Sequence, residues 1–186
     1  MKSSASPIEE IVSLSQKQEA NQRLPIIDLS QAAPKLPPPL RLRKAIGKAA
    51  LIAENHQYGS ILGKLELRNL ITKQWNKIYQ SDIIVDEVAV TSGCNQAFCA
   101  AIASVAKAGD SVILPTPWYF NHKMWLDMQG IKIIELPCTH NLLPDINIAK
   151  KLITKSVKAI ILVTPNNPTG KEYPDKIIHK FALLAK

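Results

Sequence analysis

Val157-Lys158-Ala159-Ile160-Ile161-Leu162-Val163 runs directly into Thr164-Pro165-Asn166-Asn167-Pro168-Thr169-Gly170. The first half is an almost unbroken apolar run. It lacks the alternation of a strand with one wet face, and so suits a parallel strand covered on both sides. The second half stops it with proline, asparagine and glycine, the residues of tight turns. In open parallel sheets ligands bind beyond the carboxyl ends of the strands. A side-chain amide held there between prolines could donate to a cofactor oxygen at little entropic cost. The same residues equally make a proline-stiffened turn, and residue chemistry alone leaves the two readings level.

Working upstream from that strand, the spacing predicts a helix over 146–154, a strand over 131–136 and a helix over 119–128 ended by Gly130. Before these come a strand over 111–114 closed by Pro115 and Pro117, a helix over 94–107 closed by Gly109, and a short strand over 88–91 cut by Ser92-Gly93. Four strands alternating with helices predict an α/β fold with a mostly parallel sheet flanked by helices. Downstream, Pro174 opens a helix with Ile177, Ile178, Phe181 and Leu184 on its apolar face. The chain ends at Lys186 with no strand to complete the crossover, so truncation is expected. The first forty residues read as an arm: an amphipathic stretch over 8–19, then Leu24-Pro25-Ile26-Ile27-Asp28-Leu29, then Pro34-Lys35-Leu36-Pro37-Pro38-Pro39, where missing amide donors exclude helix and central strand. Helices are expected over 40–54 and again after Gly63. The expected layout is an arm over 1–40, a helical small-domain or linker segment over 41–80, and a truncated ligand-binding domain over 81–186.

Composition narrows the function classes. At 186 residues, 46% apolar and 20% charged, the chain has the profile of a soluble globular protein with its own core. No apolar run approaches the ~20 residues that span a bilayer, so no membrane association is expected. The polar, acid-bearing residues 1–10 match neither a secretory signal nor an Arg-rich transit peptide. Cys94, Cys99 and Cys138 leave one thiol unpaired under any scheme and have no zinc-site spacing, which predicts reduced thiols in a cytoplasmic protein and no metal. The net charge of +8 is spread along the chain, with no basic block interleaved with aromatics. Nucleic acid is therefore not the expected partner. Positive charge equally suits a protein that binds phosphates and carboxylates.

One more segment bears on ligands. In Thr91-Ser92-Gly93-Cys94-Asn95-Gln96 a predicted strand enters a small-residue turn at a helix N-terminus. Free amides and the positive end of the helix dipole favour phosphate there, although such turns occur throughout α/β proteins.

Taken together these pieces resemble the fold-type I, class I/II pyridoxal-phosphate-dependent aminotransferases. Asn167-Pro168-Thr169-Gly170 after an apolar strand is that family's most recognisable motif. Tyr58-Gly59 with Leu67-Arg68, the turn from Thr91 to Asn95, and Ala108-Gly109-Asp110-Ser111-Val112 followed by Pro117-Trp118-Tyr119 fall in the family's order, covering about residues 25–186. The resemblance implies an N-terminal arm plus an incomplete aminotransferase large domain, pyridoxal 5'-phosphate as cofactor, and an amino acid and a 2-oxo acid as substrates. It implies that Ser92, Gly93, Cys94 and Asn95 hold the cofactor phosphate, and that Tyr119 stacks on the ring, with Trp118 the neighbouring candidate. Asn167 would donate to the phenolic oxygen, and Tyr58 would reach the phosphate of a partner subunit in a homodimer. Asn121-His122 is similar to a pair in aspartate-type members, where the histidine supports the acid at the pyridine nitrogen; a half-exposed helix histidine is the plainer reading. Ala32, in Gln31-Ala32-Ala33-Pro34, stands where the family carries glycine. Lys171, Lys176, Lys180 and Lys186 lie too close to the motif for the Schiff-base lysine, so no catalytic residue is assigned. The expectation is an aminotransferase seen in part and inactive by itself; the alternative is a non-catalytic remnant that binds a phosphate ligand.

Overall fold

The computed structural model describes residues 7–19, 27, 34 and 36–186. Residues 24–26, 28–29, 31–33 and 35 of the expected arm, Ala32 among them, lie outside the described residues. The chain divides into two compact units, one ending at Thr91 and the other running from Ser92 to Lys186.

The N-terminal unit is helical: α1 (Pro7–Glu19), α2 (Leu40–Ala50), a 3-10 turn (Ala53–His56), α3 (Leu65–Tyr79) and a second 3-10 turn (Val85–Glu87). Helix α2 stops four residues short of the expected end. Ile52 is extended (φ −88°, ψ 115°), and two side chains from the following turn donate to carbonyls of the last helical residues. Asn55 Nδ2 donates to Ala49 O at 2.7 Å, and His56 Nε2 to Ala50 O at 2.8 Å. Helix α3 ends at Gln80, whose left-handed conformation (φ 51°) breaks it. Arg68, 6% exposed, clamps the second 3-10 turn to α3. Its Nε donates to Val88 O and one of its terminal nitrogens to Val85 O, both at 2.7 Å. Gly63 (φ 97°) lies where a Cβ would come 2.9 Å from Val90 Cβ, and Val90 N–H donates to Leu62 O at 2.9 Å. Both positive φ and close approach demand glycine here.

The C-terminal unit comprises α4 (Cys94–Val105), β1 (Ser111–Thr116), α5 (Phe120–Met128), β2 (Lys132–Pro137), α6 (Ile146–Leu152), β3 (Val157–Ile160) and α7 (Asp175–Ala185). The strands form a parallel sheet in the order β2-β1-β3. Central β1 is buried from Ser111 to Pro115 because both its faces are covered. Val112 and Leu114 pack with Ile102 of α4 and Leu126 of α5, while Ile113 packs with Ala149 of α6 and Phe181 of α7. Each such aliphatic side chain contributes about 2 kcal/mol by leaving water. The fold is thus α/β, a parallel sheet flanked by helices, as the sequence pattern predicts.

Local chemistry explains most boundaries. At the end of α5, Ile131 N–H donates to Leu126 O (3.0 Å) and Gly130 N–H to Asp127 O (3.1 Å). This is a Schellman closure with Gly130 (φ 68°) in the left-handed position. Asp145 caps α6 through Asn147 N–H at 2.7 Å and Ile148 N–H at 3.4 Å.

Three expectations are corrected. No strand forms over 88–91: Val88 is extended (φ −111°, ψ 122°), but the sheet it was expected to join consists, among the described residues, of β1 to β3. Helix α4 ends at Val105, not Lys107, because Ala106 turns extended (φ −137°), and Gly109 serves the following turn and not the helix end. In that turn Asp110 N–H donates to Lys107 O, and Lys107 N–H donates back to the Asp110 carboxylate. Finally, β3 ends at Ile160 and not Val163. Ser111 N–H donates toward β3 and Ile113 O accepts from Ile161 N–H, so odd-numbered residues of β1 face β3. The next rung would be donated by residue 115, a proline without an N–H.

Candidate functional site

Helix α4 opens at Gly93, whose φ of 84° and ψ of 166° lie in a region that residues with a Cβ avoid. A Cβ at Gly93 would meet nothing within 4 Å, so the glycine is required by the backbone path and the space in front of it is open. The first-turn amides of Cys94, Asn95 and Gln96 have no carbonyl four residues back within the helix. Ala97 N–H reaches Gly93 O at 3.4 Å. Gln96 folds its side chain back to accept from Ser92 N–H at 2.5 Å, which fixes the turn. Cys94 and Asn95 are exposed at this end. The arrangement is a 12-residue helix presenting its positive end to solvent through a glycine turn.

Phe98, one turn into α4, links it to α5. Its ring stacks on His122 with centroids 3.9 Å apart and 16° between planes. His122 in turn meets Tyr119 edge to face at 5.1 Å. The imidazole is 8% exposed, and its Nδ1 is buried without a hydrogen-bond partner among the described residues. Burial alone holds its pKa below the ordinary 6.5, since the charged ring would be desolvated. The structure therefore corrects the plainer reading of His122 as a half-exposed helix histidine. Tyr119 stands at the start of α5, its hydroxyl accepting from Asn121 Nδ2 at 2.6 Å. Trp118 packs against the core beside Val112 and Leu126.

Beyond the carboxyl end of β3, Asn166 is 7% exposed while Asn167 is exposed. Asn166 Oδ1 accepts from Thr169 N–H (3.2 Å) and Thr169 Oγ1 (2.8 Å). Tyr173, 3% exposed, sits beneath. Burial pushes its phenol up, neighbouring Cys138 adds to the shift, and the adjacent Asn166 side chain opposes it. Burial likewise raises the Cys138 thiol, partly countered by a hydrogen bond with the Thr116 backbone.

Tyr119, His122, Asn166 and Tyr173 line one small cleft over Leu114 and Pro115, at the carboxyl end of β1. The structure thus brings together Tyr119, His122 and the residue before Asn167, and ties them to α4 through Phe98. Tyr58 belongs to the other unit, where its side chain is fully exposed at 109% of the reference area. Asn166, Tyr173 and Phe98 carry no role in the sequence reading. An aromatic one turn after the glycine could have drawn attention to Phe98, but nothing local distinguishes Asn166 from Asn167 as the buried amide.

The profile of the family described as aminotransferase class I and II matches residues 25–186. An aspartate aminotransferase of Pyrococcus horikoshii is 28% identical over 171 residues, which cover 91% of this chain and 44% of that relative. An aromatic aminotransferase of Arabidopsis thaliana is 31% identical over 134 residues, 69% of this chain and 34% of that relative. The solved structure of an alanine aminotransferase from Pyrococcus furiosus superposes with a TM-score of 0.86 at 29% identity, over 96% of this chain and 46% of that one. The chain spans less than half the length of these relatives. With the family profile matched over most of its length, the chain belongs to the class I and II aminotransferases, which depend on pyridoxal 5'-phosphate.

Proposed function

We propose that this chain is the cofactor-cradling part of an enzyme that transfers an amino group between an amino acid and a 2-oxo acid. The observation that carries the reading is the α4 turn, with Gly93 in a glycine-only conformation, nothing within 4 Å of a Cβ built there, and first-turn amides that the helix itself does not pair. Three features fit pyridoxal phosphate. The turn offers amide donors for a dianion at a helix N-terminus. Tyr119 contributes an aromatic side chain to the lining of the cleft. His122 Nδ1 is a buried polar atom still lacking a partner among the described residues, as a group that supports a further polar residue near the ring would be.

Bound there, pyridoxal phosphate supplies an electron sink for the α-carbon of an amino acid. The protein's part is binding and orientation. Ser92, Gly93, Cys94 and Asn95 hold the phosphate, largely through backbone amides. Tyr119 stacks on the ring, adding roughly 0.5–1.5 kcal/mol beyond burial by analogy with aromatic pairs. Asn167 donates to the phenolic oxygen and so favours its ionised form. His122, whose pKa burial lowers, offers Nδ1 toward the ring-nitrogen side. Tyr58, fully exposed, reaches the phosphate held by a second copy, which makes the working unit a homodimer. In this layout residues 81–186 form the cofactor-binding part, 41–80 the helical segment and 1–40 the arm. No lysine of residues 1–186 is given the proton-shuttling role, so these residues hold cofactor without turning it over. Three cysteines without a disulfide fit a cytoplasmic protein.

The test is equilibrium binding of pyridoxal 5'-phosphate to the 186-residue chain and to Gly93→Ala. Forcing a Cβ into that conformation costs about 1–3 kcal/mol. Binding should weaken by roughly tenfold or more, and inorganic phosphate should compete with the cofactor. Equal affinity in the two proteins would remove the phosphate turn from the site.

A further inference from the structure

Asn166 has no place in the cofactor cradle just described, yet it closes the turn that carries Asn167. Its N–H donates to Lys171 O at 2.8 Å, and its C=O accepts from Gly170 N–H at 2.7 Å. Its Oδ1 accepts from both the N–H and the hydroxyl of Thr169, and Lys171 N–H donates to that same hydroxyl at 3.1 Å. The bonds made by Asn166 all reach residues 169–171 and so close a ring around Asn167 and Pro168. The ring is anchored below. Tyr173 is buried, lines the same cleft as Asn166 and donates its N–H to Thr164 Oγ1 at 2.8 Å. Asn166 is 7% exposed and Asn167 is exposed, so one amide is spent inside the fold and its neighbour is left to meet a ligand.

We infer that Asn166 is a positioning residue: by closing the 166–171 turn through Thr169 it aims the Asn167 amide, and thereby makes the site selective for a pyridine phosphate bearing a ring hydroxyl over one without it. This rests on the role proposed above for Asn167. The chemistry behind it is that a donor held in place loses little freedom on binding, whereas the same donor on a loosened turn must be ordered by the ligand. A scaffold residue without this role would affect every ligand of the cleft alike.

The experiment compares two probes, pyridoxal 5'-phosphate and its 3-deoxy analogue lacking the phenolic oxygen, on the full 186-residue chain. Asn167→Ala, Asn166→Ala, Thr169→Val and Thr169→Ser are measured beside the parent. Losing one hydrogen bond to a charged oxygen is worth about tenfold in affinity. The expected result is that Asn167→Ala, Asn166→Ala and Thr169→Val each weaken pyridoxal phosphate by about that factor and leave the deoxy analogue within about twofold. Thr169→Ser keeps the hydroxyl and restores the parent affinity. Should Asn166→Ala fail to fold, the Thr169→Val and Thr169→Ser pair makes the same comparison. Selective loss in Asn167→Ala with parent-like or non-selective behaviour in Asn166→Ala and Thr169→Val would overturn the inference and leave the cofactor reading standing. No discrimination by Asn167→Ala, or no pyridoxal phosphate binding by the parent chain, would remove the cofactor reading and this inference with it.

Discussion

His122 and Gly63 are the two residues whose surroundings make the sharpest demands. His122 is harder to protonate when folded because its slot between Phe98 and Tyr119 offers Nδ1 little water and no partner among the described residues. Its folded pKa lies below the ordinary 6.5, so the unfolded chain binds a proton more readily. The stability this residue contributes is complete above pH 6.5 and is lost as pH falls toward the folded value. Urea midpoints measured from pH 8 to pH 5 should therefore drop on the acid side in the parent chain, and His122→Phe, which keeps an aromatic against Phe98, should flatten that slope. An identical slope in the variant would mean that other groups cause it. Gly63 makes a steric demand instead. With φ at 97° and Val90 Cβ 2.9 Å from any added methyl, Gly63→Ala should cost about 2 kcal/mol in denaturant unfolding; a loss below about 0.5 kcal/mol would mean that Val90 moves aside freely. Residues of this kind divide by how legible they are in the sequence. Gly93 stands out because a glycine immediately before a helix of small and apolar residues has a local reason. Asn166 and Asn167 are indistinguishable as letters, and only the hydrogen bonds to Thr169 decide which is buried.

Elements were legible where one face or two faces needed covering, and illegible where a partner elsewhere in the chain decides. The apolar runs of β1 and β2 and the spacing of α5, α6 and α7 follow from local pattern alone. The ladder between β1 and β3 does not, because its length depends on Pro115 falling at a position that faces β3. The segment from Val85 to Val88 is similar: its shape depends on Arg68, 17 to 20 residues earlier, beside the local bond from Ile84 N–H to the Glu87 carboxylate. Here magnitudes decide which contact matters. The ion pair of Arg68 with Asp86 spans 3.4 Å, and the carboxylate is 83% exposed, a geometry worth less than about 1 kcal/mol. The bonds to the two backbone carbonyls are made by a buried guanidinium, and charge-assisted bonds contribute roughly 1.5–3 kcal/mol each. Arg68→Met should therefore lower the opening free energy of α3 by about 3 kcal/mol, whereas Asp86→Asn should change it by less than about 1 kcal/mol. Amide hydrogen exchange in α3 separates the two; equal effects would show that the ion pair, and not the carbonyl clamp, holds the segment.

At the scale of the whole molecule, the two units differ in what they leave in water. In the C-terminal unit the central strand is covered on both faces. The outer edge of β2 ends in Pro137, which offers no N–H to an incoming strand. In the N-terminal unit α2 buries none of its residues, and Leu40, Leu42 and Ile46 are each at least half exposed, as are Leu65, Leu70 and Ile78 of α3. Apolar side chains on successive turns make a contiguous patch of the sort that marks an association surface. The chain spans less than half of its relatives' length, and the pattern of its own letters cannot say what lies against such a face. The net charge of +8 opposes association of like copies, while removal of apolar area from water favours it. Salt distinguishes the two contributions, because screening weakens the repulsion and leaves the apolar gain in place. The 186-residue chain should therefore self-associate at micromolar concentration, and more strongly as ionic strength rises. Each of Leu42 and Ile46 is worth about 1–2 kcal/mol on leaving water, so Leu42→Lys combined with Ile46→Lys should weaken association at least about tenfold. Sedimentation velocity across a concentration and salt series reads all of this. A species holding at 20.5 kDa throughout would mean that the exposed face of α2 is not adhesive, and association that weakens with salt would mean that charged groups, not the apolar face, bring the copies together.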